Sequence, residues 1–150
     1  MLVFVPVSRA ELGRWAGEGT HLAGQAFAAT TSMRRAFGFD PGDDEEAEHT
    51  ALHVAGLVAL LRTGVRLVAV ADAAATAGDD ADFGEVVSAA MPWPAVTALF
   101  AESDPAAARS LHEQLDGVGL AAAWDDDRVQ AFLTDHELLW HGPGEVSALT

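Results

Sequence analysis

The sequence predicts an α+β domain: a two-layer α/β sandwich on a mixed sheet, with a ferredoxin-like arrangement as one form it can take. Three observations carry that expectation. Residues 44–62 repeat small apolar side chains at helical spacing, residues 65–71 form a nearly unbroken β-branched and apolar run, and helical and strand patterns alternate along the chain. Such alternation calls for a sheet covered on at least one face. At 150 residues the chain fits one domain, 1–150, large enough to bury a core without a disulfide or a structural metal.

Leu2 to Val7 reads as a buried strand that Pro6 brings to its end. Ser8-Arg9-Ala10-Glu11 matches a capping box, in which the Ser hydroxyl accepts from the N3 amide and the Glu reaches back to the cap amide. A short helix follows through Trp15, and Gly17 and Gly19 stop it. Gln25 to Thr30 reads as a strand, and Thr31 or Ser32 as the cap of a single turn through Phe37. Asp40-Pro41-Gly42 is a turn. The helix Asp44–Arg62 carries acids at its start and Arg62 at its end, in keeping with the helix dipole. At about 100° per residue, Ala47, Ala51, Val54, Ala55, Val58 and Leu61 share one face, small enough to lie close on a sheet.

Val65 to Ala71 reads as a central strand buried on both faces, and Ala73 to Asp82 as an exposed loop. Glu85 to Met91 is a further strand, interrupted by Pro92-Trp93-Pro94, because each Pro pushes its predecessor to extended geometry. Val96 to Ala101 reads as strand, since Asp104-Pro105 looks like a fresh N-cap followed by Pro at the first helical position. That helix runs to Asp116 and ends at Gly117. Arg128–Leu133 and Leu138–His141 are expected to form a terminal hairpin with Asp135-His136 at the bend. The predicted order is β-α-β-α-β-β-β-α-β-β.

Eight Arg and no Lys face 23 acidic residues, a net charge of −15. Such a chain repels nucleic acid, whose binding rests on basic side chains that displace counterions, and is equally unsuited to an anionic membrane surface. It favours solubility and can steer a basic protein partner. There is no Cys, which excludes a disulfide framework and thiol chemistry and fits a reducing cytoplasm. Leu2–Val7 has neither the length nor the basic flank of an export signal, and no run approaches a membrane span.

Leu2-Val3-Phe4-Val5-Pro6 at the start, Asp43-Asp44-Glu45-Glu46-Ala47-Glu48 ahead of the long helix, and Asp135-His136-Glu137-Leu138-Leu139-Trp140 near the end resemble a family of small actinobacterial proteins of unknown function. The resemblance spans most of the chain. It implies a bacterial cytoplasmic protein and carries no activity, cofactor or catalytic residue. His49 and His53 lie outside the pattern on which it rests.

Glu46-x-x-His49-x-x-x-His53 is the best metal candidate. Two His four residues apart on a helix can reach one divalent transition-metal ion, Glu46 or Glu45 lies on the same side, and His136 or His141 would have to add a ligand from the chain's end. The motif lacks the Glu after the first His that marks a zinc-protease helix, and the same residues equally form a solvated helix side looking away from the core. Asp135-His136-Glu137 sets an imidazole between two carboxylates without naming a nucleophile, and turn chemistry accounts for it as well. Asp79-Asp80-Ala81-Asp82 and Asp125-Asp126-Asp127 lack the oxygen-ligand pattern of a calcium loop. Gly17-x-Gly19 lacks the third Gly of a dinucleotide fingerprint, and no phosphate loop or nucleophile elbow occurs. Trp93, between two prolines, and Trp140 are the candidate interaction residues, although large aromatics equally fill cores.

The sequence therefore favours a non-catalytic protein-interaction or regulatory domain with no cofactor, its partner a protein, basic or a second copy of itself in a homodimer. A metal-dependent enzyme using the His/Glu helix is one alternative. A small-molecule pocket between helices and sheet is another.

Overall fold

The computed structural model describes residues 1–78 and 81–150. β1 (Leu2–Pro6) is the middle strand of a seven-stranded sheet, and its alternating side chains divide the core. Val3, Val5 and Val7 point to one face, where Leu12 and Trp15 of α1 (Arg9–Glu18) cover them; Phe4 points to the other. The capping box forms as expected, with Glu11 N donating to Ser8 Oγ at 3.0 Å and Ser8 N to Glu11 Oε1 at 3.1 Å. Gly19, at φ +84°, ends α1 in the left-handed conformation.

β2 (Thr20–His21) leaves the main sheet to pair with a later short strand, and β3 (Gly24–Phe27) re-enters beside β1. α2 (Thr31–Phe37) is capped by Thr30, one residue ahead of the expected Thr31 or Ser32, because Thr30 Oγ1 accepts from Met33 N. α3 (Asp44–Thr63) then spans the sheet, about 30 Å at 1.5 Å per residue. Ala47, Ala51, Val54, Ala55 and Val58 of its predicted face lie with Phe4, Phe27, Val68 and Val70, whereas Leu61 packs on the other side. Leu57 and Leu60, on the opposite side, are buried too.

β4 (Leu67–Asp72) pairs with β1 on the side away from β3. β5 (Ala75–Ala77) is a short edge strand inside the stretch expected to be loop; the remainder of that stretch includes residues 79 and 80, outside those described. β6 (Glu85–Ser88) and β7 (Met91–Pro92) divide the expected Glu85–Met91 strand, and β7 pairs with β2. A 3-10 turn at Trp93–Ala95 leads to β8 (Val96–Ala101). α4 (Pro105–Gln114), α5 (Leu120–Trp124) and α6 (Asp127–Asp135) follow, then β9 (Leu139–His141) and a 3-10 segment, Pro143–Ala148.

The α+β class stands, with three corrections of detail. First, the sheet is not mixed: in the order β5-β6-β3-β1-β4-β8-β9 every described pairing is antiparallel. β1 ends beside the start of β3, so α1 and β2 return the chain to the edge it left, as antiparallel neighbours require. β3 and β4 run in one direction on either side of β1, joined through α3. This split β-α-β unit is the part of the ferredoxin-like arrangement that is present, inside a wider sheet. Second, both faces of the sheet are covered, because the C-terminal segment lays Val146 and Leu149 beside α1, while α4–α6 pack against the outer side of α3. Third, residues 128–133 are helix, not strand. Asp126 Oδ1 caps α6 through Arg128 N at 2.9 Å, and Val129 and Phe132, three apart, bury together against Leu57 and Leu60. β9 consequently pairs with β8 and not with a hairpin partner.

A buried ion pair ties sheet to helices. Arg66, at the entry to β4, and Glu102, at the exit of β8, have side chains 0% and 5% exposed. Arg66 Nε donates to Oε1 at 2.8 Å and an Nη to Oε2 at 2.5 Å, a bidentate pair. The guanidinium carbon stands 4.5 Å from the centre of the Phe132 ring of α6. Gly56 of α3 faces this contact, where a Cβ would lie at ordinary van der Waals distance, 3.5 Å from Arg66 Cδ and 3.6 Å from Leu138 Cδ1.

Candidate functional site

The packing of α6 beside α3 leaves a cleft of about 600 Å³, open on one side. Its walls are the N-terminal half of α3, Phe100 of β8, Trp124 at the end of α5, and the run from Gln130 to Leu138. The size lies in the range of small-molecule sites. Trp124 is fixed by two edge-on aromatic contacts, at 5.7 Å from Phe37 and 6.2 Å from Phe83. Gln130 Nε2 donates to the Trp124 carbonyl at 2.8 Å, and the Thr134 hydroxyl to the Gln130 carbonyl at 3.0 Å, so this wall is braced from within.

His49 and His53 line the α3 side. They stand one helical turn apart, so their rings meet edge-on with Nε2 atoms 2.9 Å apart. One Nε2 must carry the proton that the other accepts, which requires at least one neutral ring. Burial, then His49, then the Arg66 charge push His53 down to about 4. His53 is therefore the neutral ring near pH 7, and its Nδ1 is buried without a hydrogen-bond partner among the described residues. The expectation that both imidazoles look out to water holds for His49, which is exposed; His53 is turned into the wall of the cleft.

The remaining proposed ligands do not join them. Glu46 is exposed and borders a shallow depression with Phe39 on the other flank of His49. His136 stacks on Phe132 at 4.9 Å between centroids and sets Nδ1 3.7 Å from the carboxylate of Asp104, because α6 is a helix and delivers its C-terminus to the start of α4. His141 Nδ1 lies 3.1 Å from the Leu139 carbonyl. Among the described residues no three His, Asp or Glu side chains converge as a metal set. Of the proposed four, only His49 and His53 meet.

A family of unknown function (DUF6912) matches residues 1–150. The chain belongs to this family. No curated protein and no solved structure matches the DUF6912 chain. No helix of its described residues is long and apolar enough to cross a membrane.

The two tryptophans proposed for interaction part company in this DUF6912 member. Trp93 is half-buried, edge-on to Trp15 at 5.8 Å, and belongs to the core on the α1 face. Trp140 is 63% exposed beside Leu139 at 50%, on the edge strand β9. Asp125-Asp126-Asp127 proves to be the cap of α6, and Asp126 is held near 2 by its hydrogen bonds to Arg128. Asp79-Asp80-Ala81-Asp82 falls partly outside the described residues. Two residues at or behind the cleft, Arg66 and Trp124, escaped the sequence reading. Arg66 was visible as the lone charge in an apolar run. Trp124 carried no local signal, and Glu137 was read only as a flank of His136, since only the docking of α5 and α6 brings both to the cleft of His53.

Proposed function

We propose that this domain is a non-catalytic, cytoplasmic binding module whose ligand is a small molecule held between α3, β8 and α6. The observation that supports this most is the cleft itself, about 600 Å³, lined by Trp124 and Phe100 and bordered by the neutral imidazole of His53. A titratable ring perturbed beside a concave, aromatic-lined site supports a binding role. The imidazole Nε2 atoms face each other, which makes the pair a recognition surface more than a free base. The test is a fragment screen by ¹H–¹⁵N NMR on the whole chain. Fragments should shift the amides of residues 49–53 and 130–138, and Thr134→Trp, which fills the cleft from an exposed α6 position, should abolish those shifts while leaving the melting temperature within a few degrees. If no fragment maps to the cleft, the proposal fails.

A second reading rests on β9. Leu139 and Trp140 hold apolar surface in water at a sheet edge, the setting in which an extended partner strand adds. After Arg128 the chain carries Asp135, Glu137 and Glu145 and no Arg or Lys, so a basic protein segment is the favoured occupant and a second copy the less favoured one. Light scattering across a hundredfold concentration range separates the two: a constant monomer mass keeps the basic partner, and a dimer replaces it.

A further inference from the structure

We infer that the ligand of the α3–α6 cleft is an organic cation with an apolar or aromatic body, an amine in the simplest case. The inference rests on the small-molecule reading above and names its chemistry.

Among the residues lining the cleft there is one carboxylate, Glu137, and no Arg or Lys. Glu137, an exposed residue at the rim of the cleft, makes no ion pair or hydrogen bond among the described residues, whereas the buried carboxylate of Glu102 is matched by Arg66. An occupant that excludes water from Glu137 without neutralising it imposes a desolvation cost, which an anion makes worse and a cation removes. The walls supply the second half of a cation site: Trp124 and Phe100 are π surfaces that attract a positive group, and Leu52, Leu133 and Leu138 accept an apolar body. The imidazoles do not reverse this balance. Burial keeps His53 uncharged near neutral pH, and its Nε2 and that of His49 are turned toward each other. At long range the −15 charge draws cations toward every face of the molecule, and the cleft is where aromatic and carboxylate groups coincide.

The experiment compares three probes that share one ring and differ in charge: phenethylamine, phenethyl alcohol and 3-phenylpropanoate, each titrated into the ¹⁵N-labelled whole chain. Phenethylamine should shift the amides of 49–53 and 130–138, and the other two should bind at least about fivefold more weakly. Glu137→Gln should weaken phenethylamine by a similar factor, and Glu113→Gln, an exposed acid on α4, should leave it unchanged. Equal or tighter binding of the alcohol or the anion in the cleft overturns the cation assignment and leaves the cleft reading standing. Amine shifts spread over the acidic surface, with Glu137→Gln and Glu113→Gln alike, overturn the assignment as a diffuse charge effect. Three probes that all leave the cleft unshifted overturn the assignment and count against the small-molecule reading as well.

Discussion

Leu138 lines the cleft, and Leu139, the next residue, stands half out in water on β9. On the cleft side of this boundary, polar atoms are drawn inward: His53 is kept neutral against the wall, and Arg66 and Glu102 are paired beneath α6 with almost no exposure. On the β9 side, apolar rings and branches are held outward on a strand that pairs, among the described residues, only with β8. Both arrangements cost stability in isolation, since buried polar groups lose water and exposed apolar groups order it. On the cleft side part of that cost is recovered within the fold, through the bidentate pair, the Phe132 contact and the aromatic clamp on Trp124, while His53 Nδ1 and Arg66 Nη1 stay buried without a partner among the described residues. The β9 edge has no such compensation inside the chain. The two regions therefore call for different perturbations: stability reports on the first, and association on the second.

The largest expected effect comes from the buried pair. Glu102→Ala leaves a charged guanidinium enclosed without its partner and should lower unfolding free energy by about 3–5 kcal/mol in urea denaturation, whereas the double change Arg66→Met with Glu102→Leu should lose far less. A double variant as unstable as the single one would show that the ion pair itself, and not merely its pairing, holds α6 in place.

Acid should act next, through His53. The folded state resists a proton down to about 4, while the unfolded chain takes one near the ordinary 6.5. The unfolded state thus binds more protons between those values, so stability is full above about pH 6.5 and falls as pH drops toward 4. The loss is about 2 kcal/mol after allowance for the solvent reaching a partly buried group. His21, also lowered chiefly by burial, acts in the same direction. Chemical denaturation of the wild type and His53→Gln at a series of pH values isolates the contribution: the variant should show the flatter curve, and parallel curves would mean that His53 is solvated in the native state.

The smallest effect belongs to the edge. Leu139→Ser and Trp140→Ser should each cost about 1 kcal/mol of stability, because only about half of Leu139 and a third of Trp140 leaves water on folding. The same substitutions should abolish any binding of a basic extended segment at β9. A loss above about 2 kcal/mol would make Trp140 a packing residue and remove the docking reading.

Where a local rule governs the backbone, the sequence alone was sufficient. The Ser8–Glu11 box, the span of α3, the Val-rich β4, the Asp104-Pro105 start of α4 and the α+β class follow from capping chemistry, periodicity and fixed proline geometry within a few neighbouring residues. Arg128–Leu133 misled because a short apolar run fits a strand or a helix equally well until its partners are known; contact with Leu57 and Leu60 decided for the helix. That one docking event fixed everything distinctive about the site. It separated His136 from the His49–His53 pair, brought Trp124 and Glu137 to the cleft, released β9 to the sheet edge and enclosed Arg66 with Glu102. Those outcomes depend on side chains dozens of residues apart sharing one dry volume, and no spacing along the chain encodes which of them will meet.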